Sequence, residues 1–275
     1  MAIRLGFMTS VAPDWDLSRI IAEAKTGGYQ CLEPRVGWNH GAGIELELSK
    51  SERREIKHRL DDAGLTISAL ALGARFAQST QEERAESIEL TARAAELASD
   101  LGTPYLRVFG GPLPGNVAMI DIRDSVAEAL GAAARRAAAF GVTPCLETHD
   151  DFNHPDDVAY VVSNCGEPNA GVVWHAGHHL RLGVSVADGY RTLAPWIRHC
   201  HTNGLPMPAI MTESERAACS TGDANVTAEV VRILAQHNYD GVISWEWLNG
   251  RGAEYIDPSP LLPEYAAKLR EYLSA

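Results

Sequence analysis

The chain has 275 residues, 45% hydrophobic and 22% charged, with 24 basic against 36 acidic residues and a formal net charge of −12. This is an ordinary globular composition, and the length fits one barrel-class domain. The acidic balance argues against nucleic acid as a partner, because that affinity rests on Lys and Arg neutralising phosphates. No stretch approaches the ~18 uninterrupted apolar residues of a membrane span, so no membrane partner is expected.

Short apolar runs alternate with amphipathic stretches about every 30 to 35 residues. Strands are expected near 3–9, 30–36, 65–72, 104–110, 142–149, 170–175, 197–202 and 241–247. Helices are expected near 16–28, 48–63, 82–101, 121–140, 155–164, 186–194, 224–236 and 260–273. Asp16 or Ser18 can cap the first helix and Gly27-Gly28 can end it. Ser49 with Glu52 reads as a capping box, and Gly64 closes that helix.

Eight alternating pairs imply a parallel sheet with right-handed crossovers. They favour an α/β fold of the closed (β/α)8 TIM-barrel type, as one domain over 1–275. An open dinucleotide-binding sheet would need G-x-G-x-x-G after the first strand, and Gly6-Phe7-Met8-Thr9-Ser10 lacks it. Phe109-Gly110-Gly111-Pro112 reads as a tight turn at the rim. The long break from Asn203 to Asn225 is a candidate lid.

Cys31, Cys145, Cys165, Cys200 and Cys219 are odd in number, scattered and without a C-x-x-C pair. They read as the reduced thiols of a cytoplasmic protein. Met1-Ala2-Ile3-Arg4-Leu5-Gly6 lacks the long apolar core of a signal peptide.

Four neighbouring strands end in metal-ligand residue types. Val142–Leu146 runs into Glu147, Thr148 and His149, and Val172-Val173-Trp174 into His175-Ala176-Gly177-His178-His179. Trp196 to Cys200 runs into His201, and Val242 to Trp245 into Glu246 and Trp247. Barrel strands deliver active groups at their C-terminal ends, so Glu147, His175 or His178, His201 and Glu246 converge at one rim.

For one such Glu alone, a salt bridge to an Arg is an ordinary reading. Two carboxylates ~4 Å apart repel by roughly 1 to 4 kcal/mol, and a divalent cation turns that cost into attraction. His199 shares strand parity with His201 and reads as a partner that orients a ligand or as a hydrogen-bonded core residue. His178 and His149 are substrate-binding candidates, as are Glu33 and Arg35, which otherwise form a rim salt bridge. Trp174 and Trp247 either wall the pocket or join the core.

The order of these motifs resembles the xylose-isomerase-like TIM-barrel superfamily, the sugar phosphate isomerase/epimerase family. The resemblance rests on Glu33, Leu106-Arg107-Val108-Phe109-Gly110-Gly111, Leu146-Glu147-Thr148-His149, Trp174-x-x-x-His178, His199-x-His201, Gly222-Asp223 and Tyr239 to Trp247. It implies one divalent metal held by Glu, Asp, His and Glu from strands five to eight. Glu147, His201 and Glu246 match, while His175 stands where the Asp ligand would be. A two-Glu, two-His set leans toward Mn2+, Fe2+, Co2+ or Zn2+ over Mg2+, with Mn2+ taken first.

The implied activity is isomerisation or epimerisation of a sugar or keto-sugar through an enediolate, with Glu147 and Glu246 moving the proton. The rival is a lyase or dehydratase acting on a keto-sugar, keto-cyclitol or sugar-bearing product, favoured by His175 and the apolar Leu205-Pro206-Met207-Pro208. A non-catalytic partner barrel is the reading from another class. Apurinic endonuclease activity, known in the same superfamily, would require His ligands where Ala71-Leu72-Gly73 and Phe109-Gly110 stand. Dimers are common among such barrels, which leaves a homo-oligomer open.

Overall fold

The computed structural model describes residues 3–204 and 224–274. The greater part of the candidate lid, with Cys219, Leu205-Pro206-Met207-Pro208 and Gly222-Asp223, lies outside the described residues.

The strands are β1 (Arg4–Met8), β2 (Cys31–Glu33), β3 (Thr66–Ile67), β4 (Leu70–Arg75), β5 (Tyr105–Phe109), β6 (Thr143–Glu147), β7 (Gly171–His175), β8 (Ile197–Thr202) and β9 (Val242–Trp245). Every ladder is parallel, in the order β3-β2-β1-β9-β8-β7-β6-β5-β4. β3 and β4 share the third barrel position. Ser68 and Ala69 separate them, and a parallel bridge between Arg35 and Ala71 carries the pairing from the β2 side onto β4. The ring is therefore the expected (β/α)8 TIM barrel with its third strand broken. The break is local: the amide and hydroxyl of Ser68 both donate to the Leu32 carbonyl, at 2.9 and 3.2 Å.

The helices are α1 (Leu17–Gly27), α2 (Lys50–Asp62), α3 (Gln81–Leu101), α4 (Met119–Ala138), α5 (Pro155–Asn164), α6 (Ala176–Leu180), α7 (Val186–Leu193), α8 (Ala224–Gln236) and α9 (Leu261–Ser274). Their ends follow the sequence signals. Asp16, not Ser18, caps α1, its carboxylate accepting from the Arg19 amide at 2.8 Å, and Gly28 ends that helix at φ 71°. Ser49 and Glu52 form the capping box of α2, and Gly64 beyond it adopts φ 71°. Such a cap contributes about 1 kcal/mol. Among the described residues, α6 is the α-helix not anticipated. It places His178 and His179 on a short helical turn rather than on a loop.

The strands separate two environments. Their outward residues meet the helices, as where Trp245 stacks on Tyr265 of α9 at 4.5 Å and Thr202 shares a 2.6 Å hydrogen bond with the same phenol. Cys31, Cys145, Cys165 and Cys200 are buried free thiols. The inward residues near the C-terminal end are instead polar and buried, with Glu33, Arg107, Glu147, His199 and His201 all at 1% exposure or less. Among the described residues, no helix is long and apolar enough to cross a membrane.

Gly131 tests the packing of α4 against α5. Gly→Ala inside a helix normally stabilises by about 1 kcal/mol. Here the added Cβ would run into the backbone carbonyl of Cys165, which cannot swing away as a flexible side chain would. Gly131→Ala should therefore lower stability by about 1 to 3 kcal/mol, read as a lower urea midpoint. An unchanged or higher midpoint would contradict this packing.

Candidate metal centre

The site begins beneath the rim. Glu33, the last residue of β2, is fully buried and accepts from His199 Nε2 at 2.8 Å and from His201 Nε2 at 2.9 and 3.0 Å. A carboxylate can only accept, so both Nε2 atoms carry hydrogen. His201 therefore turns its Nδ1 the other way, toward Glu147 Oε1 at 3.0 Å and Glu246 Oε2 at 3.3 Å. Glu147, His201 and Glu246 bring their ligand atoms within 4.8 Å of one another.

Electrostatics follow from this crowding. Burial alone would raise the Glu33 carboxyl, but His201 and His199 hold it well below the usual range. Burial would likewise discharge His201, yet Glu33, Glu246 and Glu147 hold its pKa well above the usual imidazole value. Glu246 is pushed up by burial and pulled far down by His201, His175 and Arg107. Arg107 lies inside the barrel, donating from Nη1 to the Leu72 carbonyl at 3.1 Å, with Nε 3.4 Å from Glu147 Oε2.

His175 ends β7 and is clamped by Thr148. The Thr148 hydroxyl donates to the His175 carbonyl at 3.1 Å and accepts from its amide at 2.8 Å. The ring is 1% exposed, and neither nitrogen has a hydrogen-bond partner. Its Nε2 lies 3.6 Å from Glu246 Oε2. Burial, with His178 beside it, keeps the ring neutral by pushing its pKa well down. His175 stands at the edge of the triad rather than within its 4.8 Å spread.

His178 stacks on His175 at 3.9 Å with an interplanar angle of 3°. Its Nδ1 donates to the Thr148 carbonyl at 2.7 Å, so Nε2 carries the lone pair in the neutral ring. Burial lowers its pKa. His149 lies edge-on to it at 4.7 Å, with Nδ1 2.9 Å from Asp150 Oδ1. Burial lowers the His149 pKa, but Asp150 and Glu147 raise it overall. Glu147, His149 and His178 form a second group within 4.8 Å.

Three expected rim residues stand elsewhere. Glu33 lies under His201 and is occupied by two imidazoles, so it is not an open substrate contact. Trp174 is fully buried and donates its indole N–H to His179 Nε2 at 3.1 Å, on the face of β7 opposite His175. Trp247 stacks on Trp245 at 5.6 Å and shares its helix-facing side. Trp174 faces the helices because alternate strand residues face opposite ways, and Trp247, beyond the end of β9, packs on Trp245. Arg107 and Thr148 join the site although sequence reasoning gave them no role. The signals were an Arg in the apolar run Leu106-Arg107-Val108-Phe109 and a Thr between Glu147 and His149.

Residues 21–272 match the family described as the xylose isomerase-like TIM barrel. The chain belongs to that family. Within it, the chain is 25% identical to a 2-oxo-tetronate isomerase of Cupriavidus necator over 240 residues, 82% of this chain and 85% of that one. It superposes on an L-ribulose 3-epimerase with a TM-score of 0.80 and 18% identity, over 99% of this chain and 95% of that one. A probable 3-DHS dehydratase involved in petrobactin synthesis from Bacillus anthracis gives 0.74 with 18% identity, over 98% and 99%. At these identities the structural likeness speaks for the fold.

Removing the Glu33 charge should loosen the ligand it orients. Glu33→Gln is expected to weaken Mn2+ binding by about 10- to 100-fold, measured by calorimetric titration. Unchanged affinity would show that His201 needs no anionic support.

Proposed function

We propose that this protein is a divalent-metal-dependent isomerase or epimerase that moves a proton beside the carbonyl of a sugar or keto-sugar. The observation that carries this reading is His201 Nδ1 facing Glu147 and Glu246 together. The donor set fits a cation: both His175 nitrogens are buried without hydrogen-bond partners, an arrangement that costs about 1 to 3 kcal/mol per group if nothing fills it, and Glu147 Oε2 has only the Arg107 ion pair at 3.4 Å. Glu147, His175, His201 and Glu246 would hold the ion, with Mn2+ first among Mn2+, Fe2+, Co2+, Zn2+ and Mg2+ for a two-imidazole set. When bound, the ion supplies Lewis-acid stabilisation of negative charge on the substrate oxygen.

The remaining work falls to side chains. Glu147 and Glu246 approach from different strands and form the acid–base pair, one taking the proton from the carbon beside the carbonyl and the other returning it. Glu246 keeps 12% side-chain exposure and opens toward the mouth, while Glu147 is sealed beside Arg107. His178, its tautomer fixed by the Thr148 carbonyl, offers Nε2 to a substrate hydroxyl. The names of the isomerase and epimerase relatives support this direction.

A second reading keeps the site and ends in elimination. The observation that favours it is His149, gathered with His178 beside Glu147, since its pKa is raised overall by Asp150 and Glu147 and it could protonate a departing hydroxyl. An unsaturated product in place of an epimer would decide for it.

Glu246→Gln should lower kcat by about 100- to 10,000-fold and abolish exchange of the substrate's C–H proton with deuterated water. Full turnover or undiminished exchange in the variant would sink the assignment.

A further inference from the structure

Arg35, two residues beyond Glu33, carries a guanidinium that the mechanism above does not use. Among the described residues it forms no side-chain hydrogen bond and no ion pair, and its Nε is buried without a partner. The neighbouring Arg107 also has an Nε without a hydrogen bond, but it has the Leu72 carbonyl on Nη1 and the Glu147 carboxylate as an ion-pair partner at 3.4 Å. A buried guanidinium nitrogen left unsatisfied is costly unless something fills its donor position.

The surroundings hold Arg35 in place. Its guanidinium carbon lies 3.9 Å over the ring of Trp38. Trp38 itself rests against Gly73 of β4, where a Cβ would stand 3.1 Å from the indole. The Arg35 amide donates to Thr9 Oγ1 at 3.0 Å. The Thr9 hydroxyl also shares a hydrogen bond with His40 Nδ1 at 2.9 Å. Loop and ring thus fix the guanidinium before any ligand arrives.

Arg35 shares strand parity with the inward-facing Glu33, one step nearer the rim, where a parallel bridge to Ala71 holds its backbone. Burial and Arg107 lower its pKa to about 10, against the pull of Glu246, Glu147 and Glu33, so it stays charged at neutral pH. Two guanidiniums and a divalent ion would meet three carboxylates there, leaving one positive charge. A single planar fork on an aromatic ring suits a carboxylate, which it can grip through two parallel hydrogen bonds.

We propose that Arg35 recognises a carboxylate on the substrate, so that acidic keto-sugars are preferred over neutral ketoses. This rests on the isomerase reading for the reaction, though the binding claim stands apart from turnover.

The test compares three substrates on the metal-loaded enzyme: a four-carbon 2-oxo-3-hydroxy acid, the matching neutral ketose and that ketose's phosphate. The acid should lead in kcat/KM by at least ~10-fold, mostly through KM. Arg35→Gln should erase that lead, and Arg35→Lys, which keeps the charge but loses the fork, should restore part of it. Binding of the corresponding aldonate, which has no ketone to react, is measured by calorimetry on the same proteins. Its Kd should rise at least ~10-fold in Arg35→Gln. Equal aldonate affinity in wild type and both variants would overturn the proposal, as would a wild-type preference for the ketose or its phosphate. Arg35-dependent aldonate binding without turnover of any substrate would support the carboxylate site and sink the isomerase reading instead.

Discussion

The hydrogen bond from His201 Nε2 to the buried Glu33 carboxylate sets the direction of the whole centre. An imidazole has two nitrogens, and a partner that can only accept fixes a hydrogen on one and frees the other for the opposite side. Glu33 does this from below, inside a barrel where an unpaired carboxylate would be expensive. His199 shares the load by donating to the same group. His201 Nδ1 is then presented to Glu147, which ends β6 two strands away, and to Glu246, the residue after the neighbouring β9. Each acid is placed by a backbone ladder, so the spacing of the site is inherited from the sheet rather than from loops. Register pairs Glu147 with Phe109 and Val173, and His175 with His201.

Charge and burial explain why such a cluster can exist. Glu33, Glu147 and Glu246 would repel one another without intervening positive groups. Without an ion, protonated His201 and Arg107 supply these within the described residues, and a divalent ion held at His201 Nδ1 would take the place of the His201 proton. The orphaned nitrogens of His175 are the visible remainder of that balance. His175 is aimed by Thr148 and packed by His178, so its position is prepared, while neither nitrogen finds a protein partner.

Much of the architecture was legible in the sequence. Alternating apolar runs and capped amphipathic stretches are long enough to carry their own period, and the capping box at Ser49 with Glu52 marked a helix start directly. The break between β3 and β4 was not legible, because two residues, Ser68 and Ala69, interrupt the ladder without interrupting the apolar pattern. α6 was missed because five residues are too few to show a helical period. The convergence of Glu147, His201 and Glu246 could be read from strand ends. Glu33 could not be placed, since its partner His201 is remote in sequence and only the closed barrel brings them together. Trp174, open in the sequence between pocket wall and core, lies in the core, since a residue next to His175 on one strand faces the other way.

The most direct measurement is elemental analysis of protein purified without chelator, wild type beside His175→Ala. The account predicts about one equivalent of a transition metal, Mn2+ or a near neighbour, in the wild type and a large loss in the variant, as expected when a ligand is removed from a four-residue set. No metal in the wild type, even after incubation with Mn2+ or Zn2+, would contradict the metal centre itself. Metal retained fully in the variant would contradict the place given to His175.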